Sequence, residues 1–222
     1  MREAVLFDIH GNVDALEAVL ADAERAGCAG LVLGGDYALL GPAPDDCVDL
    51  LRGHPWPVTA IRGNTDRMIA AGGDPVSDWA ADRLGPERVA WLGGLPERVA
   101  LPAHDALLVH ASPRDDEERL TPETADAVAE AMLAGVSQAT LLCGHVHIQY
   151  RRPVGAIEVV NPGSVGFPFD GDPTAGWAIV EDGAVELRRT PYDVERALAR
   201  IAGLASHPER ALADRRLRTA RA

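Results

Sequence analysis

The first sixty residues alternate short apolar runs with amphipathic stretches, and that alternation restricts the fold more than any other feature. Ala4–Phe7 reads as a buried strand. Asn12 to Ala26 follows with helical spacing, Ala15, Leu16, Val19 and Leu20 falling on one face and Gly27 standing just past its end. Leu31–Leu33 predicts a second strand, Asp45 to Leu51 a second helix and Pro57–Ile61 a third strand. A β-α-β-α-β series of this kind implies a largely parallel sheet with right-handed crossovers.

The pattern then changes. Asn64 to Gly94 is mostly helical, broken at Gly72-Gly73-Asp74-Pro75 and at Gly85-Pro86. Arg98–Leu101 and Ala106–Val109 predict an antiparallel hairpin about Pro102-Ala103-His104-Asp105. Thr121 to Leu133 reads as a helix begun by Thr121-Pro122-Glu123. Leu141–Cys143, Ala156–Val160, Trp177–Val180 and Val185–Arg188 are predicted strands, the last two joined by a turn at Glu181–Ala184, and Asp193 to Leu204 forms a closing helix. Two sheets packed face to face with helices outside accommodate this order better than one open sheet. The expected organisation is one domain over residues 1–207, followed by an arginine-rich tail over 208–222, read as a solvated terminal helix or as a basic arm for an acidic partner.

Charge excludes some partners. The formal net charge is −13, which disfavours long nucleic acids held through their phosphates and attachment to anionic membrane. Cys28, Cys47 and Cys143 are scattered and odd in number, so they form neither a disulfide framework nor a thiolate metal site. The apolar run at Ala4–Phe7 is too short for a secretory signal, and no window has the roughly 20 apolar residues of a membrane span. The expectation is a cytoplasmic protein. Its acidity leaves a question: anionic substrates are repelled unless something local reverses the sign.

Metal-ligating residue types collect where the apolar runs stop. Asp8 and His10 follow the first strand, Asp36 the second and Asn64 the third; His110 ends Leu107-Leu108-Val109-His110, and His145 and His147 follow Leu141–Cys143. Ligands bind beyond the carboxyl ends of strands in such sheets. In extended chain, residues i and i+2 point the same way, so Asp8 with His10, and His145 with His147, can each converge. Gly11, Gly35, Gly63 and Gly144 stand beside these residues and permit close backbone approach. Two Asp, one Asn and four His without sulfur suit Mn²⁺, Fe or Zn²⁺. Seven candidates exceed the needs of one ion, and two ions sharing a carboxylate fit the count.

Taken together, Asp8-Ile9-His10-Gly11-Asn12, Gly35-Asp36 through Gly41-Pro42, Gly63-Asn64-Thr65-Asp66, Val109-His110-Ala111-Ser112-Pro113 and Gly144-His145-Val146-His147 resemble the motifs of the calcineurin-like metallophosphoesterases. Asn161-Pro162-Gly163-Ser164-Val165-Gly166 is similar to a further loop of the small bacterial and archaeal members. The resemblance implies an α/β (α+β) fold, a four-layer αββα sandwich of two mixed sheets flanked by helices. It also implies a dinuclear site with Asp8, His10, Asp36 and His147 on one ion. Asp36, as the bridge, with Asn64, His110 and His145 would hold the other. The implied activity is phosphoester hydrolysis by a metal-bridging hydroxide, with Mn the first choice of metal and Fe, Zn, Ni or Co as others, on small phosphate esters.

One departure from the pattern bears on substrate. Many members carry His in Gly-Asn-His-Asp or Gly-Asn-His-Glu, where it assists the leaving group; here the position is Thr65, a poor general acid near neutrality. Thr65 is also placed to cap the following helix. Its presence favours diesters over monoesters with poor leaving groups. A phosphomonoesterase, nucleotidase or dinucleoside polyphosphate hydrolase is the alternative enzyme, and a metal-bearing binding protein that has lost catalysis the alternative without activity. Asn12, Arg62 and Arg67 lie beside the candidate ligands and are the expected substrate contacts. The run Arg114–Glu118 is placed either to shape the mouth of the site or as a solvated face. Trp79 and Trp91, in the helical stretch, either cap the site or pack in the core. His54, His104 and His207 are expected on the surface.

Overall fold

A computed structural model describes all 222 residues and gives two five-stranded mixed sheets. The first contains β1 (Glu3–Leu6), β2 (Leu31–Leu33), β3 (Val58–Ala60), β9 (Ala175–Glu181) and β10 (Ala184–Thr190), ordered β10-β9-β1-β2-β3. The second contains β4 (Arg98–Leu101), β5 (Ala106–Val109), β6 (Thr140–Leu142), β7 (Gln149–Val154) and β8 (Ile157–Pro162), ordered β4-β5-β6-β8-β7. β1, β2 and β3 run parallel, with Ala4 opposite Leu31 and Leu31 opposite Val58. In the second sheet β5, β6 and β8 run parallel, while β4 and β7 are antiparallel edges.

Alternation along each strand makes the layers. Ala4 and Leu6 of β1 point into a core shared with α1 (Val13–Arg25), α2 (Pro44–Arg52), α3 (Asn64–Ala71) and α4 (Pro75–Gly94). Val5 and Phe7 point the other way, onto Leu108, Leu142 and Val160 of the second sheet. Leu141 and Val159, one residue out of step with these, face α5 (Asp126–Met132). Helix, sheet, sheet, helix is therefore written into the period of two. A fourth cluster joins Leu40 and Phe167 to α6 (Val194–Ala202) and α7 (Arg210–Thr219).

Several local expectations need correction. β7 was not legible: Gln149-Tyr150-Arg151-Arg152-Pro153-Val154 carries two arginines and a proline, and only an edge strand tolerates these. The helix expected from Thr121 begins at Asp126, because the Thr124 hydroxyl accepts the Thr121 N–H and closes a turn first. α4 bends at Gly85 (φ 72), at the expected Gly85-Pro86 break. The arginine-rich end, expected as a solvated helix or a basic arm, forms a helix packed on one face against the core. α7 buries Ala213 and Leu217, and the Gly171 N–H donates to the Ala220 carbonyl at 2.9 Å.

Two of the three histidines expected at the surface are buried. His104 makes a 2.6 Å contact with Glu3, and His207 a 2.8 Å hydrogen bond with the Leu40 carbonyl. His54 is half-buried. Trp79 and Trp91 pack against the core: Trp91 lies 5.6 Å from the Tyr37 ring, and Trp79 lies 4.3 Å from His207.

Candidate metal centre

Beyond the carboxyl ends of β1, β2, β5 and β6 the chain gathers a buried polar cluster. Asp8, His10, Asp36, His110 and His147 are each at most 6% exposed, a burial that unpaired charges do not tolerate in isolation. Asn64 and His145 stand at the edge of this group, partly exposed.

Convergence is not produced by strand pleating, as the i, i+2 spacing had suggested. β1 ends at Leu6 and β6 at Leu142, before the polar residues begin. Asp8, His10, Asp36, His145 and His147 instead adopt left-handed backbone, with φ of 54°, 50°, 60°, 65° and 58°. In Asp8-Ile9-His10 and His145-Val146-His147 two left-handed residues flank an apolar residue that plugs into the core. Such dihedrals cost on the order of 1–3 kcal/mol each away from glycine and persist only where surrounding contacts enforce them. The enforcement is visible: the Asp8 N–H donates to the Gly35 carbonyl at 3.1 Å, His10 N–H to Asp36 at 2.8 Å and Gly11 N–H to Tyr37 at 2.8 Å. Glycine supplies close approach at two points. A Cβ on Gly63 would stand 2.1 Å from Asp36 Oδ1, and one on Gly144 would stand 2.8 Å from Asp8 Oδ2.

Three histidines are oriented alike. Nδ1 of His10, His110 and His147 donates to the backbone carbonyls of Leu39 (3.0 Å), Gly34 (2.9 Å) and Phe167 (2.5 Å), leaving each Nε2 turned inward. His10 Nε2 and His147 Nε2 are 3.1 Å apart. Asp36 spans the cluster: Oδ2 is 3.5 Å from His10 Nε2 and Oδ1 is 3.4 Å from His110 Nε2. Asp8 Oδ1 lies 3.5 Å from His147 Nε2 and 4.0 Å from His10 and His110, and it accepts no hydrogen bond. Asn64 Oδ1 is 3.0 Å from His110 Nε2, and the His145 ring is 5.4 Å from that of His110.

Ionisation follows from this crowding. Burial pushes Asp8 well above the usual carboxylate range, against the pull of His110. Burial also opposes ionisation of Asp36, but His110 and His10 outweigh it and hold that carboxyl low. His110 is moved up to about 10: burial disfavours its charged form, yet the Asp36 and Asp8 carboxylates prevail. His10 and His147 are lowered, chiefly by burial, so they are neutral acceptors.

These features test the fit of a metal. Two neutral imidazoles that have each committed Nδ1–H present lone pairs to one another at 3.1 Å, with no proton between them. A buried carboxylate oxygen without a donor points into the same space. Lone pairs so arranged call for a cation. Asp8, His10 and His147 form one group whose ligand atoms lie within 4.8 Å of each other, and Asp8, Asp36 and His110 form a second. The donor set is nitrogen and oxygen only, which suits Mn²⁺, Fe or Zn²⁺.

Asp66 was missed as a functional residue. Its carboxylate accepts the N–H groups of Asp36 (2.7 Å), Tyr37 (3.1 Å) and Gly63 (2.9 Å), tying the β2 and β3 loops together. Burial and the nearby Asp36 raise it to about 7, against the three hydrogen bonds. The available signal was an acid three residues after Gly63 at a helix start, the capping-box position.

Thr65 does not cap α3. Gly63 holds the cap position, Asp66 supplies the capping carboxylate, and Thr65 Oγ1 is buried without a partner. Its N–H donates to Asp36 Oδ1 at 3.0 Å.

The expected substrate contacts are already engaged. Asn12 is fully buried, accepting the Ala15 N–H and donating to the Gly166 carbonyl at 2.9 Å and the Tyr192 hydroxyl; it fixes α1 and cannot reach a substrate. Arg62 pairs with Glu97 at 2.6 Å. Arg67 holds Asp116 through two hydrogen bonds, 2.8 and 2.9 Å, and Glu117 through a third. Arg67, Arg98, Arg114, Asp115 and Asp116 do line a cleft of about 230 Å³ that reaches His110, so the charged run after His110 shapes a mouth of the site.

A family model described as the calcineurin-like phosphoesterase superfamily domain matches residues 1–183. An uncharacterized protein of Methanocaldococcus jannaschii is 28% identical, covering 89% of this chain and 90% of its own. Among solved structures, a metallophosphoesterase from Sphaerobacter thermophilus is 27% identical and superposes with a TM-score of 0.82, covering 99% of both chains. A hypothetical protein from Pyrococcus horikoshii is 24% identical with a TM-score of 0.86, covering 97% of both.

Proposed function

Because the chain belongs to the calcineurin-like phosphoesterase superfamily, we propose that it hydrolyses small phosphate esters, diesters before monoesters, at a centre of two divalent ions. Asp8, His10, Asp36 and His147 hold one ion in this reading, and Asp36, Asn64, His110 and His145 hold the other. Mn²⁺ is the preferred metal, with Fe, Zn²⁺, Ni²⁺ or Co²⁺ as substitutes. The observation that carries the proposal is the facing pair of His10 Nε2 and His147 Nε2 beside the donorless Asp8 Oδ1.

Ions bound there supply Lewis acidity and a water activated near neutral pH. The chain's own residues position them. Asp36 presents one oxygen towards each side of the cluster, and the carbonyls of Leu39, Gly34 and Phe167 fix the ring orientations. Asn64, partly exposed at the rim, is placed to donate its amide to a phosphoryl oxygen. Thr65 cannot protonate a leaving group, since its hydroxyl is buried away from solvent. Diesters and activated aryl esters, whose leaving groups need less proton assistance, are the substrates this favours. Three unpaired, buried cysteines suit a reducing cytoplasm.

The test compares bis-p-nitrophenyl and mono-p-nitrophenyl phosphate with each metal added, using Asp36→Asn as control. The variant should lose about a hundredfold or more. Equal low rates in both proteins would remove the enzymatic reading and leave a metal-bearing binding protein. Faster monoester turnover would favour a phosphomonoesterase or nucleotidase.

A further inference from the structure

We propose that Arg216, on the C-terminal helix α7, is an anion-binding residue that selects substrates carrying a second phosphate beyond the scissile one. The proposal rests on the phosphoesterase reading only for where the first phosphate sits.

Arg216 is half-buried, and its guanidinium makes no hydrogen bond and no ion pair; Nε has neither solvent nor a partner. The other arginines lacking both kinds of partner are exposed, where water serves them. Leaving the buried Nε–H without an acceptor costs free energy, and the chain has 34 Asp and Glu from which a partner could be drawn. Neighbouring arginines use them: Arg218 pairs with Asp214, and Arg196 and Arg200 both pair with Asp14. Arg216 has no such partner.

Its location supplies the reason. The guanidinium carbon lies 5.0 Å from the centre of the Phe169 ring. Phe169 in turn stacks on His147, with centroids 4.3 Å apart and planes 12° apart, and its N–H donates to the His147 carbonyl at 2.9 Å. One aromatic ring therefore couples α7 to a residue of the proposed centre. Arg216 and His147 both contact this ring, so in this proposal the cation serves a group attached to the reacting phosphate and not the reacting phosphate itself. In the cleft that reaches His110, Arg67 is committed to Asp116 and Glu117 and Arg114 to Glu118, while the exposed Arg98 donates to the Pro113 carbonyl at 3.2 Å. Beside Phe169 and His147, Arg216 is the half-buried donor left for a second anion. A planar guanidinium with free N–H groups is suited to two phosphate oxygens.

Two p-nitrophenyl diesters of thymidine 5′-phosphate, with and without a 3′-phosphate, isolate the effect, because the bond broken and the leaving group are the same. The metal-loaded wild type should favour the 3′-phosphorylated ester in KM, and Arg216→Gln should lose about tenfold more kcat/KM on it than on the plain ester. Arg216→Lys, which keeps charge but not the fork, should recover part of the difference. An unchanged ratio between the two esters in Arg216→Gln overturns the proposal. Calorimetric titration of the same metal-loaded proteins with thymidine 3′,5′-bisphosphate and thymidine 5′-phosphate reads binding at the same spacing without turnover. Tighter bisphosphate binding in wild type than in Arg216→Gln supports the subsite even if neither ester is hydrolysed, an outcome that would sink the phosphoesterase reading alone. Equal bisphosphate binding by the two proteins refutes the subsite whatever the turnover.

Discussion

His10 Nε2 and His147 Nε2 face one another at 3.1 Å although 137 positions separate them in the chain. Each ring is turned by its own backbone partner, Leu39 for His10 and Phe167 for His147. The histidines therefore do not hold each other in place; the two loops present them to a common space. A cation in that space relieves the opposition of their lone pairs.

Metal loading should release protons. His110 holds its proton up to about 10 in the metal-free protein, whereas a ligating imidazole must be neutral. The same shift stabilises the metal-free fold below the unfolded value of 6.5, and that contribution is lost as pH rises through about 10. At pH 7.5, titration of Mn²⁺ in buffers of different ionisation enthalpy should reveal roughly one proton released from this residue. Apparent metal affinity should rise with pH over the same range. Heats independent of buffer would contradict this.

Asp66→Asn should impair the centre without touching its contents. An asparagine cannot accept the three N–H groups of Asp36, Tyr37 and Gly63, and its own NH₂ opposes one of them. A loss of about 10–100-fold in metal affinity or activity is expected, as for other outer partners of metal sites. Metal content after dialysis, measured beside the melting temperature, checks it. Full metal retention with normal rates would show that the β2 and β3 loops hold their places without this carboxylate.

Gly63→Ala tests close approach. The added methyl would stand 2.1 Å from Asp36 Oδ1 and 2.8 Å from His110 Cε1, and the φ of −99° carries no strain of its own. Displacing two site residues by about 1 Å should cost on the order of a hundredfold in rate. A near-normal rate would mean that the loops yield more easily than their hydrogen bonding suggests.

Thr65→Val removes a hydroxyl that has no partner. Stability should change by less than about 0.5 kcal/mol or improve slightly, since an unsatisfied buried oxygen is replaced by a methyl of similar shape. The ratio of diester to monoester turnover should stay as in wild type. A tenfold fall in the rate on monoesters alone would assign the hydroxyl a part in leaving-group departure.

Much of this molecule was readable before folding, for local reasons. The apolar runs at Ala4–Phe7, Leu31–Leu33 and Leu141–Cys143 mark central strands because both of their faces are covered. Polar residues at the ends of those runs mark the site, because backbone must leave the core there. β7 escaped because an edge strand is under no such demand. His104 and His207 escaped because their partners, Glu3 and the Leu40 carbonyl, are more than a hundred residues away.

What the sequence determined by itself is the set of layers and the residues collected where strands end, since both follow from periodicity and from where apolar runs stop. Tertiary structure alone decided how those residues converge. Asp8, His10, Asp36, His145 and His147 are held left-handed by hydrogen bonds between loops, a conformation that no spacing of residues announces. It also decided which charges are spent. Arg67 and Arg216 look alike in sequence; packing pairs the first with Asp116 and leaves the second free against Phe169. Whether a charge is paired depends on which carboxylates the fold brings within hydrogen-bond reach, and that is a property of three dimensions.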